Sequence, residues 1–204
     1  IKLHYGTNKK FIIVGYSLGF LFVTRLLQKY PHLRTQLQEV ISMAGLVHRD
    51  DFAFSKTRVR MYKIATYLLE RRVLSWVMRE VFLRKFLLRL IYPRSHNARE
   101  KFRGLDRATV EAMIDFEVIL WRINHIPTWC YTSRQMLNAN LVDGENIPLD
   151  LVAITVDMDR YFDNSVTEQH MKVIYDNVKE VQADVAHHGV SVVATAKEAE
   201  DFLP

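Results

Sequence analysis

The sequence predicts an α/β fold, a doubly wound and mostly parallel sheet into which an all-helical cap is inserted. Three observations carry this prediction. Segments 1–50 and 146–204 alternate short apolar, β-branched runs with amphipathic helical runs, the pattern of strand–helix–strand units in a parallel sheet. Segment 51–145 keeps a helical period and lacks strand-like runs. Positive charge is concentrated in that insert: from Lys56 to Arg107 fifteen Lys or Arg face four acids, whereas the full 204-residue chain is only +5.

Phe11-Ile12-Ile13-Val14 is aromatic and β-branched, which predicts a strand buried on both faces. Gly15, Ser17 and Gly19, alternating with Tyr16 and Leu18, stop the run. Phe20, Val23, Leu26 and Leu27 then recur at helical spacing as far as Tyr30, and Pro31 follows, so a helix is predicted over 18–30. The apolar run 39–45 predicts the next strand, ending in a loop over 46–51. In the insert, 60–93, 106–124 and 128–140 read as three helices. Asp106 stands where its carboxylate caps the second of them. Segment 146–204 predicts a strand over 149–156, an acidic loop, a helix over 167–178 and a short strand over 179–185, then a loop holding His187 and His188 and a closing helix from about Thr195.

Composition narrows the function classes. Hydrophobic residues make up 49% of the chain, enough for a full core. A single cysteine, Cys130, forms no internal disulfide. His4, His32, His48, His96, His125 and His170 are scattered without metal-like spacing, so they read as surface or packing residues and neither a metal nor another cofactor is expected. No apolar stretch reaches the length of a membrane span, no signal core is visible, and a cytoplasmic location is the default expectation. The chain opens on Ile1 and a polar turn, which suggests that it begins inside a larger protein. The basic insert reads either as a solvated helix face whose Arg stems cover apolar surface or as a lid that meets anionic lipid. Its aromatics Tyr62, Tyr67, Trp76 and Phe82 follow helical core spacing, so nucleic acid is not an expected partner. Oligomeric state is not legible.

The stretch Gly15-Tyr16-Ser17-Leu18-Gly19 sits between a strand and a helix, and that context gives it chemical meaning. A serine hydroxyl is a poor nucleophile at neutral pH and needs a base, an orienting acid and donors for an oxyanion. A sharp strand-to-helix turn lifts the serine above the sheet edge and brings the first helical amides close to it. Glycines two residues to either side are expected to make room for that turn.

This stretch resembles the Gly-x-Ser-x-Gly nucleophile elbow of the α/β-hydrolase superfamily, and the order elbow, helical cap, acid, histidine extends the resemblance over most of the chain. The resemblance implies Ser17 as nucleophile and the Leu18 amide, beside Tyr16, as part of the oxyanion and substrate-binding wall. It implies an acid at the end of the strand over 149–156. There Asp159, followed by Arg160-Tyr161-Phe162, matches best, with Asp163 second and Asp157 third. It implies a histidine in the last loop, where His188, followed by Gly189, is preferred to His187, preceded by Ala186. The early strands and the loop that gives the second oxyanion amide have no counterpart before residue 11. The activity implied is that of a carboxylesterase- or lipase-like serine hydrolase, without a cofactor, acting on a small ester or thioester with an apolar acyl part. A catalytically silent binding protein, or a hydrolase of amide or carbon–carbon bonds, is the alternative on the same fold.

Overall fold

A computed structural model describes residues 10–91, 104–156 and 161–183. In chain order the elements are β1 (Phe11–Tyr16), α1 (Leu18–Lys29), β2 (Leu37–Met43), α2 (Lys56–Leu69), α3 (Arg72–Val77), α4 (Lys85–Ile91), α5 (Arg107–Ile123), α6 (Ile126–Met136), β3 (Ile147–Val156), α7 (Asn164–Ile174) and β4 (Tyr175–Ala183). They fall into two compact units. One is formed by Ile1–Lys56 with Met136–Pro204, the other by Thr57–Gln135.

The first unit holds a four-stranded sheet in the order β1-β2-β3-β4, and every neighbouring pair is parallel. Side chains alternate across a strand, so the register sorts them by face. Ile13, Val40, Leu151 and Val178 lie in one row, and Val14, Ile41, Val152 and Lys179 in the next, on the opposite face. Phe20 and Leu27 of α1 and Met171 and Ile174 of α7 pack into one core with Val40, Leu151 and Ala153. Both helices therefore cover the Ile13–Val178 face. On the other face Ile12 and Val14 of β1 remain 48% and 50% exposed.

Tyr175 explains a departure from the expected helix over 167–178. Its amide closes α7 on the Met171 carbonyl, and its backbone then turns extended and pairs with Ile147. The buried Tyr175 ring stacks on Phe20 with centroids 6.0 Å apart, and its hydroxyl meets Thr24 Oγ1 at 2.9 Å. Burial pushes the phenol pKa far up. As strand, Tyr175 is buried in the core and Val178 packs against it, while Asp176 and Asn177 stay exposed. The end of the strand expected over 179–185, the loop with both histidines and the closing helix lie outside the described residues.

The second unit is helical. Where one helix was expected over 60–93, there are α2, α3, a π-turn over Met78–Phe82, and α4. The first break falls at Glu70, whose carboxylate takes two bonds of 2.8 Å from Arg134 of α6, so the break is held by a paired charge that helical periodicity cannot reveal. Asp106 caps α5 as expected, accepting the Ala108 and Thr109 amides at 2.8 and 3.0 Å. Leu83, Leu88, Ile114, Ile126 and Cys130 form the unit's own core. Among the described residues no helix is long and apolar enough to cross a membrane.

Candidate active site

The turn between β1 and α1 holds one of two positive-φ non-glycine residues among the described residues, the other being Ala44 after β2 at φ 45°. Ser17 has φ 47° and ψ −119°, a conformation that side chains disfavour at a cost of about 1–3 kcal/mol. Serine is a favoured helix N-cap, and Ser17 occupies the N-cap position of α1, yet its hydroxyl makes no capping bond. The turn is fixed instead by backbone: the Ser17 amide donates to Met43 O at 2.8 Å, and the Phe20 amide to Ser17 O at 3.0 Å. Structure thus holds Ser17 in a strained pose and does not use its side chain for the role that serine usually fills there.

Gly15 is required by close approach. A Cβ at this position would lie 2.6 Å from Phe20 Cα and 2.9 Å from Phe20 N, both backbone atoms. Gly19 behaves differently, since a Cβ there would meet nothing within 4 Å among the described residues. The steric reason expected for both glycines holds for Gly15 alone.

Leu18 opens α1, so its amide belongs to the first turn, whose amides have no partner within the helix. No acidic residue stands in that turn to neutralise the positive end of the helix dipole. An oxyanion beside Ser17 would meet donors and a favourable field. Tyr16 ends β1 opposite Met43 and is 42% exposed.

Because all strands are parallel, the turn after β1 and the loops after β2 and β3 leave the same edge of the sheet, where ligands bind in open α/β folds. The loop after β3 is anchored on both sides of its undescribed part. Asn164 Nδ2 donates to Val156 O at 2.9 Å, the Ala53 amide to Tyr161 O at 2.9 Å, and the Asp163 amide to Asp51 O at 2.8 Å. Asp157 and Asp159 lie in that part, and His187 and His188 lie beyond β4, so all four fall outside the described residues. Asp163 is the N-cap of α7, accepting the Val166 amide at 3.2 Å. The second-ranked acid therefore serves the helix. The Cys130 thiol is fully buried, and burial pushes its pKa up, so it offers no rival nucleophile.

The structure also brings together a group that the sequence had scattered. His48 follows β2, Asp51 lies three residues on, and His170 comes from α7. Asp51 is fully buried; its Oδ2 accepts the Val47 and His48 amides at 2.7 and 2.8 Å, and its Oδ1 meets His170 Nδ1 at 2.5 Å. The two imidazoles lie 4.5 Å apart between centroids. Desolvation, helped by His170, lowers the His48 pKa. A separation of more than a hundred residues left no local signal from which this group could be found.

No protein-family model and no curated protein matches the sequence. Solved structures do resemble it. An esterase from Exiguobacterium antarcticum aligns with a TM-score of 0.60 at 14% identity, covering 95% of this chain and 64% of that one. An acetylester hydrolase from Corynebacterium glutamicum aligns at 0.58 and 14% identity, covering 92% and 57%. MGS-M2, an alpha/beta hydrolase enzyme from a Medee basin deep-sea metagenome library, aligns at 0.55 and 12% identity, covering 91% and 61%. The chain spans less than two thirds of the length of each. Its fold is that of the α/β hydrolases, with a mostly parallel sheet flanked by helices.

Proposed function

We propose that the chain is a serine hydrolase that cleaves a carboxylic ester or thioester with an apolar acyl group. The observation that carries this reading is the backbone of Ser17, strained at φ 47° between a parallel strand and a helix while its hydroxyl leaves the cap unfilled. Strain of this kind persists where the surrounding structure enforces it, and such positions gather at sites of chemistry. The similarity of fold to esterases supports the same reading.

In the proposed mechanism His188 takes the Ser17 proton as Oγ attacks the substrate carbonyl, and Asp159 orients the ring and steadies the imidazolium. The Leu18 amide donates to the oxyanion. The imidazolium then protonates the leaving alcohol or thiol, and water repeats the sequence to release the acid and restore Ser17. Separate alanine substitutions at His188 and His187 tell the two apart, since the base loses several orders of magnitude in rate and its neighbour little.

The helical unit supports a lipid-like substrate. Met61, Ile64 and Leu68, spaced to share one face of α2, are 65%, 53% and 47% exposed, in the most basic part of the chain. A basic helix with an open apolar face suits a peripheral contact with anionic lipid.

Labelling with a fluorophosphonate tests the nucleophile directly. Oγ displaces fluoride from phosphorus, adding one phosphonyl group that intact mass counts and peptide mapping places. One adduct at Ser17, absent in Ser17→Ala, is the expected result. A folded chain that stays unlabelled would point either to a catalytically silent binding protein or to a need for the early strands and their oxyanion amide, and labelling of an N-terminally extended chain tells the two apart.

A further inference from the structure

We propose that His48, Asp51 and His170 form a binding site for one divalent transition-metal ion of the zinc class. The three side chains each offer a nitrogen or oxygen ligand atom, and these atoms lie within 4.8 Å of one another. Two imidazoles and one carboxylate are a donor set suited to zinc, cobalt or nickel and poorly suited to calcium or magnesium, which take oxygen ligands.

The surroundings resemble those of a ligand more than those of a chance ion pair. The Val47 and His48 amides hold Asp51 Oδ2 and leave Oδ1 directed at His170. Carboxylates that ligate metals are oriented by hydrogen bonds of this kind. Asp51 is fully buried and has no Lys or Arg partner in the described ion pairs, so a cation there would compensate a costly buried charge. The His170 side chain is 23% exposed, so one edge of the cluster meets solvent.

The rearrangement required is small. Bonds of about 2.0–2.2 Å in a tetrahedral site place ligand atoms roughly 3.3 Å apart, so the widest pair must close while Asp51 and His170 part slightly. A metal at His170 Nδ1 replaces the proton now directed at Asp51; that proton passes to Nε2 of a neutral ring, or to water from a charged one. His48 presents a ring nitrogen to the site, and the bond its Nδ1 accepts from the Asp50 amide is long, at 3.2 Å.

The test titrates the full chain with Co²⁺ and Zn²⁺, counting bound metal by native mass spectrometry and following thermal midpoints. One equivalent is expected, with a raised midpoint and visible Co²⁺ bands of a low-coordinate nitrogen and oxygen site. In His170→Gln and in His48→Gln, checked for folding by circular dichroism, affinity should fall at least ten-fold. X-ray absorption of the loaded wild-type chain should show two imidazoles, a readout that does not depend on any variant folding. Absence of stoichiometric binding, unchanged affinity in folded variants, or fewer than two imidazoles would overturn the proposal and leave the cluster a hydrogen-bonded clasp.

Discussion

Ser17 and Gly15 divide the work of the turn between them, and each makes a separable prediction. At φ 47° and ψ −119° alanine keeps the strain of serine, whereas glycine adopts this region without steric cost. Both Ser17→Ala and Ser17→Gly should abolish fluorophosphonate labelling. Ser17→Gly should nonetheless unfold at higher urea, by about 1 kcal/mol relative to Ser17→Ala. Equal stability in the two variants would mean that the strain at Ser17 is not stored in the folded chain. Gly15 works by proximity. A methyl group 2.6 Å from Phe20 Cα must push helix from strand, so Gly15→Ala should cost about 1–3 kcal/mol in the same assay, while Gly19→Ala, with no described atom within 4 Å of the new methyl, should be far milder.

Two helix caps show how capping and catalysis can be separated by substitution. Asp163→Ala should cost about 1 kcal/mol through the lost bond to the Val166 amide, with labelling of Ser17 retained. Loss of labelling in a folded Asp163→Ala protein would return it to candidacy as the triad acid. Asp106 differs in being fully exposed; the Thr109 hydroxyl, followed by the amides of the first turn, lowers its pKa. A lowered folded-state pKa means that its stabilising contribution is present above the ordinary Asp range and lost as pH falls through and below it. The gap in thermal midpoint between wild type and Asp106→Ala should therefore be widest near neutral pH and close in acid. The Asp106 cap was legible because capping is local, an acid followed within three residues by the amides that it serves. The strand-to-helix turn was legible for the same reason. The break at Glu70 was not, because Arg134 lies 64 residues away, nor was the early end of α7, which depends on Tyr175 meeting Thr24 and Phe20.

The parallel sheet could be read from alternating strand and helix patterns because each unit carries its own hydrophobic period, but constellations built across the chain could not. His48, Asp51 and His170 looked like scattered polar residues, and only the adjacency of the loop after β2 to α7 makes them a cluster. Charge distribution is a third kind of information, visible in the sequence yet without consequence until exposure is known. In α2 the exposed Met61, Ile64 and Leu68 accompany an excess of eleven positive charges between Lys56 and Arg107. Apolar contact and attraction to anionic headgroups then add, with basic residues near an anionic surface contributing about 1 kcal/mol each before salt screens them. The full chain should accordingly co-sediment with phosphatidylglycerol-containing vesicles more than with purely phosphatidylcholine ones, and raised salt should weaken the binding. Ile64→Ser should reduce it at both salt levels by removing apolar contact, whereas Arg60→Gln should reduce it chiefly at low salt. Equal binding to both lipids, or none, would leave the positive charge as a solvated helix surface whose long side chains cover the apolar residues beneath them.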